Sequence, residues 1–292
     1  LNAVGLNTSA GVGVLSVQTP GAVSFNGAVS GAGSLDLRGI GGKVSLLGNN
    51  SYAGGTRFAD NTVVLGSNTA LGTGVASIEG NTALSGTAAL TLGNAFAIGK
   101  ANLLAISGPA LTLNGPISGA GGIVKQGTDT LTLGGANTYA GGTTVTAGTL
   151  SINNASGSAT GTGAVQVQSG ATLMGSGAIA GPVDVAAGAR LSIGNGGVGT
   201  LTTGSHTLAA GSALDMELGQ AGVVGGALND LLNVNGDLSL RGTLNVGQSA
   251  GGNFGAGIYR LINYTGTLTA NAMTIGSAPT PPGYLALQTG LA

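Results

Sequence analysis

The sequence predicts an all-β chain wound as a parallel β-solenoid, and three observations carry that expectation. Apolar residues recur at every second position in short runs, no stretch shows helical periodicity, and a long string of such runs is written twice. One oily side per short strand is buried only if successive turns of chain stack on one another.

The stretch from Ile117 to Ile152 shows the pattern most clearly. Leu131 and Leu133, Thr143, Val145 and Ala147, and Leu150 and Ile152 alternate with polar residues, and glycines break the chain between them. The pairs Gly134-Gly135 and Gly141-Gly142 are expected to supply backbone positions with φ > 0.

An earlier stretch repeats it. Val29 to Leu35 answers Ile117 to Ile123, and Asn50, Tyr52, Gly54, Gly55 and Thr56 answer Asn137, Tyr139, Gly141, Gly142 and Thr143. The offset is 88 residues from Asn26 to Asn114, 87 from Tyr52 to Tyr139 and 89 from Leu84 to Leu173. Small insertions therefore fall in turns. The reading divides the chain into residues 1–197, a solenoid with two copies over about 21–107 and 108–197, and residues 198–292, a C-terminal stem. Fragments about ten residues apart, taken two or three to a coil, give about four coils per copy.

The run Gly119, Gly121, Ile123, Lys125, Gly127 and Thr130 to Leu133, followed by Asn137, Tyr139, Gly141, Gly142, Thr143, Val145, Gly148 and Leu150, resembles the passenger-associated repeat of bacterial autotransporters. The first copy departs from it at Arg38 and at Arg57-Phe58. From Leu214 the alternation strengthens, and Asp230, Gly236, Gly242 and Tyr259 stand in an order similar to the C-terminal stem of such passengers, their autochaperone region. The resemblance implies a right-handed parallel β-helix with a capping stem, exported across the outer membrane of a Gram-negative bacterium. It further implies a precursor with a signal peptide before and a membrane β-barrel after. The chain itself starts at Leu1 without a basic and apolar leader, so both ends are expected to be cut from that precursor.

Composition narrows the function. Glycine is 60 of 292 residues, too aperiodic for collagen, and 42% hydrophobic content argues against disorder. Charged residues are only 6% of the chain, against about 25% in ordinary soluble domains. Eight scattered Lys and Arg leave no basic stripe, so nucleic acid is not expected as a partner. The absence of cysteine excludes disulfides, thiolate chemistry and Cys-ligated metal. It also suits a chain that must cross a membrane unfolded.

Along the chain, Leu1 to Pro20 reads as an opening coil, and Asn94 to Gly99, the least regular portion, is expected to loop out. Asn137 and Tyr139 read as a tight corner, with asparagine and glycine bending the chain and the tyrosine ring covering it while its hydroxyl stays wet. Ala278 to Pro282 breaks strand pairing, and Gly283 to Leu287 resumes it briefly.

Catalytic and metal chemistry finds little support. His206, the only histidine, reads as a surface residue in a threonine-rich turn. Gly247 to Gly251 fits a nucleophile elbow at Ser249, but no acid or histidine follows it, and the reverse order with His206 and an aspartate falls inside the stem. Asp215, Glu217, Asp230 and Asp237 crowd one region without a calcium-loop pattern, and read as outward charges that block edge pairing.

The expected function is a non-enzymatic, surface-exposed or secreted adhesin or self-association scaffold, needing no cofactor. Its partners are host or bacterial surface molecules, another copy of itself among them. Two alternatives stand beside it: a β-helical carbohydrate-active enzyme, disfavoured by 3% aromatic content, and a stalk whose active head lies upstream.

Overall fold

The computed structural model describes residues 4–5, 14–18, 21–39, 41–279 and 286–288. Among these every regular element is a β-strand, and no helix occurs, hence none long and apolar enough to cross a membrane. Most of the expected break at Ala278 to Pro282 and of the resumption from Gly283 lies outside the described residues, as does much of Leu1 to Pro20. Val14–Gln18 is a strand paired in parallel with Ser34–Arg38.

Three faces make up each coil. The first carries a six-stranded sheet from Val14–Gln18 to Ile117–Gly119 and, further on, a three-stranded sheet of Thr200–Thr203, Leu231–Val234 and Ile262–Tyr264. The second carries a twelve-stranded sheet from Ala22–Phe25 to Leu268–Asn271, and the third a nine-stranded sheet from Leu90–Leu92 to Thr274–Ile275. Neighbouring strands run parallel, as a chain passing from face to face in one sense requires.

Period two in sequence becomes files of like side chains along the column. On the nine-stranded sheet Leu90, Leu111, Leu131, Leu150, Leu173, Leu191, Leu214 and Leu244 stand one above another, all buried. Each full burial contributes about 1.5–3 kcal/mol, and neighbours about 4.8 Å apart leave no room for water between rungs. The twelve-stranded sheet has two such files. One holds Val63, Leu84, Ile106, Lys125, Val145, Val167 and Val185. The other holds Leu104, Ile123, Thr143, Val165, Val183, His206 and Leu238. Lys125 and His206 are thus inside the column.

The segment expected to loop out does not. Phe96–Ile98 is a strand between Ala76–Ile78 and Ile117–Gly119, and Phe96 is buried. Three alternating residues suffice here because the strands on both sides already fix the ladder.

Coil length changes near residue 198 while the two long sheets continue across it. Thr143 pairs with Val165, 22 residues on, but His206 pairs with Leu238, 32 residues on, and Leu238 with Leu268, 30 on. The extra residues form two excursions, 219–229 and 249–261, joined by the Gly222 N–H donating to the Ile258 carbonyl.

Candidate binding surface

The residues singled out by the repeat are structural, and they work inside the column. Asn50 is buried and bridges three coils: its Oδ1 accepts from the Val29 N–H at 2.8 Å and its Nδ2 donates to the Ala70 carbonyl at 2.6 Å. Asn137 repeats this between the Ile117 N–H and the Ala159 carbonyl. At these levels the face carries a bend rather than a strand, so the amide replaces ladder bonds that the backbone cannot make.

Tyr52 and Tyr139 do not keep wet hydroxyls. Both are 0% exposed, and each hydroxyl meets a buried threonine, Thr56 at 2.5 Å and Thr143 at 2.6 Å. Burial pushes the Tyr52 phenol up to about 12 and Tyr139 higher still, with the threonine contact working the other way. The ring fills the corner from inside because an open bend would leave a void in the file.

The paired glycines divide their work. Gly55 and Gly142 have φ of +83° and +79°, as expected. Gly54 and Gly141 do not; a Cβ on either would strike the backbone of the coil below, at Gly33 and Gly121. Gly134 and Gly135 also lack positive φ, contrary to the sequence expectation, and are small for the same reason of close approach to Asn114 and Gly115.

In the stem, Asp230 is buried rather than outward. Its carboxylate accepts from the Gly199 N–H at 2.7 Å and the Glu217 N–H at 2.6 Å, while burial pushes its pKa up to about 6 against those two bonds. Asp215 and Glu217 do lie on the outside of their strand, and Asp237 caps the Thr267 N–H. A Cβ on Gly236 or Gly242 would meet Ser205 or Ser212. The Tyr259 hydroxyl donates to the Gly255 carbonyl, and its ring packs 4.8 Å from that of Phe254.

His206 is a buried residue, not a surface one. Its Nδ1 lies 3.3 Å from the Thr203 hydroxyl, which itself donates to the Gly204 carbonyl, and its Nε2 has no partner. With the hydroxyl proton so engaged, the imidazole holds its proton on Nδ1, and burial lowers its pKa to about 4. Ser249 donates to the Leu228 carbonyl instead of facing an imidazole. Among the described residues no three His, Cys, Asp or Glu converge for a metal ion.

Two buried groups carry local structure that sequence reasoning left without a role. Lys125 packs its stem in the inner file and donates from Nζ to the carbonyls of Gln126 at 2.6 Å, Gly127 at 2.8 Å and Ala147 at 3.3 Å. Burial lowers its pKa and the charge of Asp129 opposes that. Asn229 holds the 219–229 excursion with four bonds, accepting from Gly219 and Gln220 and donating to Gln220 and Val223.

What remains for a partner is the outside, where the nine-stranded sheet differs from the six-stranded one. One outward file reads Thr91, Thr112, Thr132, Ser151 and Met174, with Ser151 itself covered by Asn195, and beside it runs Thr130, Thr149 and Thr172. Rungs are about 4.8 Å apart and the two files about 6.6 Å apart, a flat uncharged grid of hydroxyls and methyls. Charge flanks the grid at the exposed Asp129, just before Thr130, and enters the files further along, where Arg190 meets Asp215 and Asn245 donates to Asp215. Asn195 folds back over the grid's edge, bonded to Ser151 and Asn153. The six-stranded sheet, by contrast, carries an ion cluster of Asp36, Arg38, Arg57 and Glu79.

The family model for the passenger-associated-transport-repeat matches residues 41–65 and 123–152, the cores of the two copies. An adhesin autotransporter of Brucella suis biovar 1 (strain 1330), BmaC, is 43% identical over 194 residues; the match covers 62% of this chain and 5% of that protein's length. With two transport repeats in an all-parallel β-solenoid and this relative, the chain is an autotransporter passenger segment.

Proposed function

We propose that the chain is a non-enzymatic adhesive column displayed outside the cell, and that it meets a second copy of itself through the nine-stranded sheet. The observation that carries this is the uncharged grid of Thr112, Thr130, Thr132, Thr149 and Thr172. A partner that meets every rung must repeat at the strand spacing of about 4.8 Å, and another stacked-strand column does so by construction. Each hydroxyl contact is weak, but many act together and no charge stands within the two files. The match to an adhesin autotransporter supports surface display and adhesion as the setting.

Bacteria displaying the chain are expected to clump more than cells displaying none. Thr132→Glu with Thr149→Glu, which places like charges across the contact, is expected to abolish the difference while display stays equal. Clumping unchanged by this pair would refute the reading.

A further inference from the structure

The sequence repeat and the coil do not keep the same period. Starting from Leu35 on the six-stranded sheet, four coils lead through Thr56, Ala76 and Phe96 to Ile117 on that same sheet. The counterpart of Leu35 in the second copy is not Ile117 but Ile123, which lies on the twelve-stranded sheet. Each copy therefore advances the chain by four coils and one further face.

Every matched element obeys this shift. Lys43–Leu46 and Thr62–Leu65 belong to the twelve-stranded sheet, and their counterparts Thr130–Leu133 and Thr149–Ile152 to the nine-stranded sheet. Asn50 acts where Val29 and Ala70 stack, on the third face, whereas Asn137 acts where Ile117 and Ala159 stack, on the first. The strandless bend that each copy contains thus falls on a different side of the column, and no single face loses its sheet twice.

Resting on the reading above, we infer that the repeat is a rotating display: the counterpart of the hydroxyl grid is a second docking face for another copy, on the twelve-stranded sheet over the first repeat. Ser45, Thr62, Val64, Ala83 and Ser85 form it, at the positions of Thr132, Thr149, Ser151, Thr172 and Met174. These five side chains are uncharged and partly or fully exposed, with Lys43 and Asp60, of opposite sign, at the edge. The rung spacing is shared, so a second column fits this face for the same geometric reason. Two docking faces on different sides let copies join into extended linear assemblies, where a single face would stop at pairs.

The chain lacks cysteine, so one introduced thiol reports one position. Purified full chains with Ser45→Cys, Thr132→Cys or Ser118→Cys, the last outward on the six-stranded sheet, would be treated with a short bis-maleimide singly and as mixtures. Ser45→Cys, alone or mixed with Thr132→Cys, should cross-link ~10-fold or more faster than Ser118→Cys, because docking raises the effective thiol concentration. The double variant Ser45→Cys/Thr132→Cys should extend past dimers. Cross-linking through Thr132→Cys without Ser45→Cys overturns the second face and leaves the first standing. If neither position exceeds Ser118→Cys, or if Ser45→Cys reacts without Thr132→Cys, the grid reading falls and the inference with it.

Discussion

The Tyr139 hydroxyl lies 2.6 Å from Oγ1 of Thr143, with both groups sealed from water. Their counterparts Tyr52 and Thr56 stand 2.5 Å apart, so the pair is a unit that the repeat carries with it. Removing either Tyr139 or Thr143 leaves the other hydroxyl without its partner in a low-dielectric interior. Tyr139→Phe and Thr143→Val should each cost about 1–3 kcal/mol, and the double variant clearly less than their sum. A double-mutant cycle by urea unfolding measures this. Burial raises both phenols above the ordinary value of 10.0, so stability is present below that pH and is lost as pH rises through about 12 for Tyr52. Phenolate absorbance from these two tyrosines should appear only as the chain unfolds.

Asn137 ties three coils together through its two side-chain atoms, and its loss is felt on both sides. Asn137→Ala should destabilise by roughly 2–4 kcal/mol, because the Ile117 N–H and the Ala159 carbonyl both lose a partner. A solenoid is held by nearest-neighbour contacts, so the effect should be local. Hydrogen exchange should accelerate over residues 117–165 and stay unchanged over residues 230–275.

Lys125 interrupts a file of valine, leucine and isoleucine, yet an apolar replacement should not improve it. Its ammonium serves three carbonyls at the corner that turns the chain through Gly127, whose φ is +70°. Lys125→Met keeps the packing stem and removes every donor. The expected cost is about 1–3 kcal/mol, read from the shift in urea midpoint. A gain in stability would show that the carbonyls find water as readily as the amine.

Alternation made the inner files legible from sequence, and its phase held more than was taken from it. Ile123 and Lys125 share one phase, as do His206 and Leu208, so both charged-type residues were marked as inward by their neighbours. The threonines around His206 argued for a surface turn and misled. Bends are less legible. Asn137, Tyr139 and the glycines were recognisable as a corner, but whether the tyrosine hydroxyl faces water depends on Thr143, four residues on and on the next face. The burial of Asp230 follows from Gly199 and Glu217, brought to it by coil stacking alone. The one-face advance between copies is likewise invisible locally, since it arises from the registers of many coils rather than from any single motif.

His206 and Asp230 make opposite contributions to pH dependence within the same coils. For the imidazole, the folded pKa of about 4 lies below the ordinary 6.5, so the neutral form is favoured inside. Its stability contribution is intact above pH 6.5 and is lost as pH falls toward 4, by about 3 kcal/mol in all. For the carboxyl, the folded value of about 6 lies above the ordinary 3.8. Its contribution is present below 3.8 and is lost as pH rises through 6. Between pH 6 and 4 the two nearly offset, and the last coils should change little in stability across that window. His206→Leu keeps the apolar file between Val183 and Leu238 and removes one side of the balance. That variant should become more stable on acidification from pH 6 to 4, where the natural chain stays flat, as read by hydrogen exchange over residues 200–265. A flat profile for His206→Leu beside a loss of stability in the natural chain would mean that the two backbone N–H bonds hold Asp230 ionised, and parallel profiles would mean that the buried imidazole adds no pH dependence.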